Sequence, residues 1–312
     1  MSDLPLVSLI TPCLNQGAFL EETIRSVLDQ GYPRLEYLII DGGSTDGSLD
    51  IIRRYADRLA YWTSETDRGQ AHAINKGLQR AQGEILGWLN ADDVLAPGAI
   101  FRAVQVFHQN PAVDVVYGHL ERIDAEGNLL PTPELPKDRV LFNKSLVIGE
   151  CVVNQPGSFW RRRAMERSGL LDEGLHYALD YEYWIRLALD GAQFFRLPET
   201  VAYFRLSHAS KTVSRTAAMA VEQLGVLEKL LAIPDLPDRL GVSPRQVDEQ
   251  ARRAKARIAL HAVYGYAKQS KWLKAARWLS YALNNDPFVV FDKLWWQLAA
   301  ARLARRNLRR GK

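Results

Sequence analysis

Residues 61–93 read YWTSETDRGQAHAINKGLQRAQGEILGWLNADD, and the order of patterns in that stretch decides the fold. A short aromatic strand at Tyr61 and Trp62 gives way to a polar, glycine-bearing turn, then to a helix-spaced segment around Ala71 to Leu78, then to a buried-type apolar run, Ile85 to Leu89. The run ends on two adjacent carboxylates, Asp92 and Asp93. Acids at the carboxyl end of a strand in an α/β sheet lie where such sheets bind ligands, and two together suit a divalent cation and a diphosphate that it bridges. The expectation is a nucleotide-linked substrate.

The same alternation extends outward in both directions. Upstream, LVSLI (6–10) and LEYLII (35–40) are short apolar runs separated by a helix-period stretch carrying Phe19, Leu20, Ile24, Val27 and Leu28, which is a β-α-β unit. A DGGSTDG turn follows at 41–47, and Leu49, Ile51, Ile52 and Tyr55 continue as a second helix. Downstream, Pro97 suits a first helical turn continued by Ile100, Val104 and Phe107. Val113 to Tyr117 and His119 to Ile123 read as two strands, and Pro131 to Lys144 as an exposed connection. Helices are expected near 161–168 and 180–189, and strands near 194–197 and 201–204. Strands alternating with helices imply a mostly parallel sheet with helices on both faces. That domain is expected to span 1–215, with a helical extension over 216–312. Within the extension, 256–287 is spaced like a helical hairpin and resembles one tetratricopeptide unit.

Composition bounds what such a chain does. It has 312 residues, 47% hydrophobic and 24% charged, which is ordinary for a globular protein. Two cysteines, Cys13 and Cys151, without CxxC spacing suggest neither a disulfide framework nor a zinc site; they read as buried small apolar residues in a reducing compartment. The start shows no secretory pattern and no run is apolar enough to span a bilayer, so a cytoplasmic location is expected. Charge is segregated: residues 251–312 sum to +13 and the first 250 to −9. A basic end on an acidic body points to an anionic partner. Trp295 and Trp296 followed by Arg305, Arg306, Arg309, Arg310 and Lys312 read as an interfacial amphipathic helix on the cytoplasmic membrane face, or equally as a tail helix packed on the domain. No recognised nucleic-acid motif accompanies the charge, and no GxGxxG follows the first strand.

Local chemistry marks further residues. The loop through Thr11, Pro12, Leu14 and Asn15 leaves the first strand where a base and ribose would lie; an ordinary strand-to-helix turn is the alternative. Asp41 closes the second strand, and Gly42 with Gly43 lets the backbone approach a flat base; the alternative is a solvated turn acid. Asp67, Arg68, Gly69 and Gln70 precede a helix whose first amides would face phosphate.

Six pieces in sequence order, VSLITPCLNQGAFLEETIRSVLDQ, LIIDGGSTDGS, SETDRGQAHAINKG, GEILGWLNADD, QPGSFWRR and LDYEYWIRLALDG, together resemble the family 2 glycosyltransferases of the GT-A fold. The resemblance covers residues 7 to about 215. It implies an inverting transfer of a sugar from a nucleotide-diphosphate donor to a glycan or lipid-linked acceptor in cell-surface polysaccharide, lipopolysaccharide or glycolipid synthesis. It also implies that Asp92 meets the ribose, that Asp93 and His208 meet a Mg²⁺ or Mn²⁺ ion held with the diphosphate, and that Asp180 is the general base. Gly157 in the QPGS loop and Glu182 fall on the acceptor side. Two departures bear on donor choice: the family's usual Tyr is Leu14 here, and its usual second Asp is Gly42. Base recognition is thereby left to Asp41, Asp67 or backbone groups. The reading from another class is a sugar-nucleotide-binding or scaffold protein without turnover, whose helical extension is the working part.

Overall fold

The computed structural model describes residues 4–131, 153–207 and 215–289. These fall into two compact units, one ending at Ser207 and one beginning at Arg215.

In the first unit, strands β1 (Val7–Cys13), β2 (Leu35–Asp41), β3 (Tyr61–Ser64) and β4 (Ile85–Trp88) run parallel in the order β3-β2-β1-β4. Every residue of β1 and β4 is buried, which is why both read as continuous apolar runs and not as alternating ones. Helices α1 (Leu20–Leu28), α2 (Ser48–Tyr55) and α3 (Gln70–Arg80) cross between them. On α1, Leu20, Ile24 and Val27 share one buried face at helical spacing. Beyond β4 come β5 (Val94–Leu95), α4 (Ala99–Gln109), β6 (Val115–Ile123), β7 (Leu129–Leu130), β8 (Phe159–Arg161), α5 (Arg162–Ser168), α6 (Leu179–Leu189) and β9 (Phe194–Arg205).

The full order is β3-β2-β1-β4-β8-β6-β9-β5, with β7 on β6. The parallel character inferred from the alternation thus belongs to the half that begins the chain. Past β4 the pairing is mixed: β8 is antiparallel to both β4 and β6, and β6 is parallel to β9. The two strands expected at 113–123 are one strand, whose pairing to β9 slips between Tyr117 and Leu120. Gly118 sits at that slip, where a Cβ would overlap Val201. Likewise 194–205 is one strand, its Pro198 and Glu199 falling where β6 and β9 lose register. Because β1 lies between β2 and β4, the loops leaving its carboxyl end and those of its two neighbours open on one crevice.

The second unit holds α7 (Thr216–Leu231), α8 (Leu236–Leu240), α9 (Pro244–Lys268) and α10 (Trp272–Asn285). A capping box between Ser243 and Gln246, with Pro244 in the first turn, starts α9. Ala256, Ala259 and Leu260 of α9 pack on Ala282 and Val289, the core of the expected hairpin. No described helix is long and apolar enough to cross a membrane. The basic tail 290–312, His208, Cys151 and most of the Pro131 to Lys144 connection lie outside the described residues.

Candidate active site

The turn after β4 is held from three directions. Thr23 Oγ1 of α1 donates to the carbonyls of Ala91 (3.0 Å) and Asp93 (2.7 Å). Arg205, at the end of β9 and 1% exposed, donates from Nε to the Asp92 carbonyl (2.9 Å) and from its other guanidinium nitrogens to the Asp124 and Ala125 carbonyls and to Glu22. The Arg205 amide donates to Asp93 Oδ1 at 3.1 Å, and Asn90 Nδ2 donates to Asp93 Oδ2 at 3.1 Å.

That arrangement separates the two acids. Asp93 is wholly buried with both carboxylate oxygens engaged, while Asp92 is only partly buried. Burial, and next the negative charge of Asp92, push the Asp93 carboxyl well above the usual carboxylate range against the opposing pull of Arg205 and Asn90. Asp93, which the resemblance assigns to the metal, thus has both oxygens bonded within the turn. Sequence reasoning missed Arg205; its signal was a lone guanidinium after the apolar VAYF run.

Asn90 joins three motifs that are distant in sequence. Its Oδ1 accepts from Gln70 Nε2 at the start of α3 (2.8 Å), and its Nδ2 also donates to Gln155 Oε1 (3.0 Å). Gln155 in turn donates to the Trp88 carbonyl at 2.8 Å. The QPGS loop is thus bound to the end of β4. Gly157 has φ +74°, and a Cβ there would lie 2.9 Å from Val201, so its lack of a side chain serves packing on β9.

The loops after β1 and β2 bind each other. Asn15 donates its amide to Ser44 Oγ (2.7 Å) and accepts at Oδ1 from the Thr45 amide (2.9 Å), while the Gly17 amide donates to Asp46 Oδ2 (2.8 Å). Asp41 is fully buried and spends its carboxylate on the amides of Gly43 and Ser44 and the hydroxyls of Ser44 and Ser64. It shapes the loop from within. Thr11 and Pro12 belong to β1 and are buried, and Thr11 Oγ1 pairs with Tyr37 Oη at 2.9 Å, so the loop itself begins after Cys13. Leu14 and Asn15 remain exposed.

Asp67 occupies the space beside Gly42. A Cβ on Gly42 would lie 2.6 Å from Asp67 Oδ2, and Asp67 Oδ1 accepts from the Gly69 amide at 2.8 Å. Arg68 pairs with Glu173 at 2.5 Å, and Asn75 bonds Glu173 and both backbone groups of Leu171, fastening α3 to the loop before α6. Hydrogen bonds from Asn75 and Arg68 hold the Glu173 carboxyl below its ordinary value. In the same loop His176, unmarked by sequence reasoning, lies with Nδ1 3.6 Å from where a Gly69 side chain would begin.

Asp180 stands in the first turn of α6, and its Oδ1 accepts from the Tyr181 amide at 2.8 Å. One turn on, Trp184 stacks on Trp88 of β4 (5.7 Å between centroids, 4° between planes), and Trp160 and Tyr183 complete the ring cluster. Positions i and i+4 share a helix face, so Asp180 lies on the face that packs toward β4. Glu182 faces elsewhere and makes a two-pronged pair with Arg186, 2.8 Å at each oxygen.

Among the described residues, no three His, Cys, Asp or Glu side chains converge as a metal cage. The donor set nevertheless fits a hard cation of the magnesium type, which takes one or two protein carboxylates and completes its shell with phosphate oxygens and water. Asp92, the partly buried acid of the pair, is the carboxylate that such a cation would take. A cation beside it would relieve the repulsion that Asp93 feels.

A family model described as Glycosyl transferase family 2 matches residues 8–169. The chain is 30% identical over 201 residues to an uncharacterized glycosyltransferase of Rickettsia typhi, an alignment covering 61% of each protein, so it spans well under the full length of that relative. It is 45% identical over 92 residues, 28% of this chain and 36% of the relative, to a Bacillus subtilis protein provisionally named a teichuronic acid biosynthesis glycosyltransferase. Among solved structures it is similar to the mannosyltransferase PcManGT of Pyrobaculum calidifontis in complex with GDP-Man and Mn²⁺, with a TM-score of 0.64 and 21% identity over 96% of this chain and 86% of that one.

Proposed function

The chain belongs to glycosyl transferase family 2 and has the GT-A fold, and from that premise we propose that it transfers a sugar, with inversion, from a nucleotide-diphosphate donor to a glycan or lipid-linked acceptor of a cell-surface polymer. The observation that carries this reading is the turn after β4: α1 and β9 fix its backbone and the Asp93 carboxylate, with the partly buried Asp92 beside it at the carboxyl end of the strand. The name of the Bacillus subtilis relative supports the polymer class. In this reading residues 1–215 are the transferase domain and 216–312 an extension.

The chemistry assigns each side chain one task. The acceptor hydroxyl oxygen attacks the anomeric carbon from the face opposite the diphosphate. The carbon–oxygen bond to the diphosphate breaks with its electron pair leaving on that oxygen, and the acceptor's proton passes to Asp180. Asp92 would hold the divalent ion, in place of the Asp93 first expected, with His208 as a candidate further ligand. When bound, the ion neutralises charge developing on the diphosphate. Asp93 instead keeps the turn in shape through Arg205 and Asn90. The amides opening α3 behind Gly69, with Arg68, suit the diphosphate.

Base recognition falls to Asp67. Its carboxylate fills the space that a side chain at Gly42 would take, supplying an acid where the chain otherwise lacks one. Leu14 and Asn15 would cover the ribose side. The test is release of diphosphonucleoside from a panel of nucleotide sugars with purified protein: turnover by wild type and loss in Asp180→Asn supports transfer, whereas binding without turnover in every case would leave a non-catalytic binding protein.

A further inference from the structure

We propose that the tip of the α9–α10 hairpin is a contact for anionic bilayers, where Trp272 and Leu273 enter the headgroup layer. The proposal lies outside the transfer reaction and does not depend on it. Helix α9 ends at Lys268 and α10 begins at Trp272. Ser270, at φ +60°, and the bond from the Lys271 amide to the Tyr266 carbonyl (2.9 Å) close the turn. The first two residues of α10 then face solvent: Trp272 is 52% exposed and Leu273 83%. Exposed apolar side chains are ordinary when scattered. Here two large ones are consecutive at a protruding turn, beside Lys268, Lys271, Lys274 and Arg277, all exposed.

Charge identifies the partner. Residues 250–285 contain eight Lys or Arg and no Asp or Glu, so the tip and the helix halves next to it carry no carboxylate to repel a negative surface, Asp248 and Glu249 lying at the far end of α9. A bilayer rich in anionic headgroups matches both features at once. Indole and leucyl groups settle at the headgroup boundary, and lysine stems extend along apolar surface while their ammonium groups reach phosphate. Lysine is depleted in protein–protein interfaces, which argues against a protein partner, and two such hairpins from copies of the chain would repel. Nucleic acid would use the cations and one ring but gives Leu273 no role.

The test is flotation of the full chain with vesicles of phosphatidylcholine alone or with roughly a third phosphatidylglycerol, at low and at high salt. The expected result is binding to the anionic vesicles that high salt weakens. Replacing Lys268, Lys271 and Lys274 by Gln should lower it on the order of 100-fold, and the W272A/L273A double variant about tenfold. Circular dichroism at the assay temperature should match wild type for both variants, while the half-exposed Trp272 makes a small loss in melting temperature expected for W272A/L273A. Vesicle binding that survives both sets of substitutions would overturn the proposal, because the contact would then lie elsewhere in the chain. So would an oligomer that W272A/L273A dissolves while vesicle binding is absent, or polynucleotide binding that depends on the lysines but not on Leu273.

Discussion

The turn after β4 and the turn between α9 and α10 each reverse the chain within a few residues, yet their side chains meet opposite fates. In the first, Asp93 and Arg205 are polar and fully enclosed, each bonded to groups more than a hundred residues away in sequence. In the second, the large apolar groups are at least half exposed and the lysines around them are exposed. Enclosing a carboxylate and a guanidinium costs several kcal/mol of lost hydration unless each finds geometry-defined partners. A fold that bears this cost gains a turn with one permitted shape, as placing a reacting group requires. The hairpin tip has no such constraint, and its exposed Trp272 and Leu273 suit adhesion better than alignment.

If the enclosed region is the chemical one, substitutions there should separate turnover from binding and from stability. The largest effect is expected at Asp180→Asn: transfer should fall by ~10²–10⁴-fold with donor affinity unchanged, read from initial rates and calorimetry on one preparation. Asp92→Asn should lower transfer by about 10²–10³-fold and should in addition abolish the metal dependence of donor binding. Equal donor affinity with and without metal in wild type would break the distinction drawn between Asp92 and Asp93.

Arg205→Met should destabilise the fold by roughly 3 kcal/mol, because it strands the Asp92, Asp124 and Ala125 carbonyls. Arg253→Met, which removes an exposed pair with Glu249 on α9, should change stability by about 0.5 kcal/mol or less. Urea unfolding of the two variants side by side measures the contrast directly; similar losses would contradict it.

An effect confined to alkaline pH concerns Cys13, whose thiol burial, with the nearby charge of Asp41, pushes up to about 12. A raised value means the folded state resists ionisation. Its contribution is complete below the pKa of the unfolded thiol and is lost as pH rises toward 12. One pH unit above the unfolded value the loss is roughly 1.4 kcal/mol, or about 3 °C in melting temperature. Cys13→Ala should show a shallower alkaline decline in a pH series of melting curves, and Cys13 should stay unlabelled by iodoacetamide at neutral pH.

Legibility from sequence followed the range of the interactions. The strands β1, β2 and β4 were readable because full or nearly full burial writes itself as predominantly apolar runs, and the acids were readable because they follow one of those strands. Which acid turns inward was not. Asp92 and Asp93 look alike in sequence, and the choice is made by an amide 112 positions later. That β1 continues through Cys13, carrying the Thr11 hydroxyl to Tyr37, was not legible either. The close packing of Gly157 on Val201, a residue of another strand, was likewise not legible. The helical hairpin was legible from spacing, but its exposed tip was not, since periodicity reports which face is buried and not what remains outside at the ends.

The most direct test of the central claim is calorimetric titration of UDP, GDP, dTDP and CDP, each with and without Mn²⁺, into wild type, Asp92→Asn and Asp93→Asn. One nucleotide should bind wild type tightly only with metal, Asp92→Asn should lose that dependence, and Asp93→Asn should retain it. Binding indifferent to Mn²⁺, or a metal dependence lost in Asp93→Asn and kept in Asp92→Asn, would contradict the account of this turn.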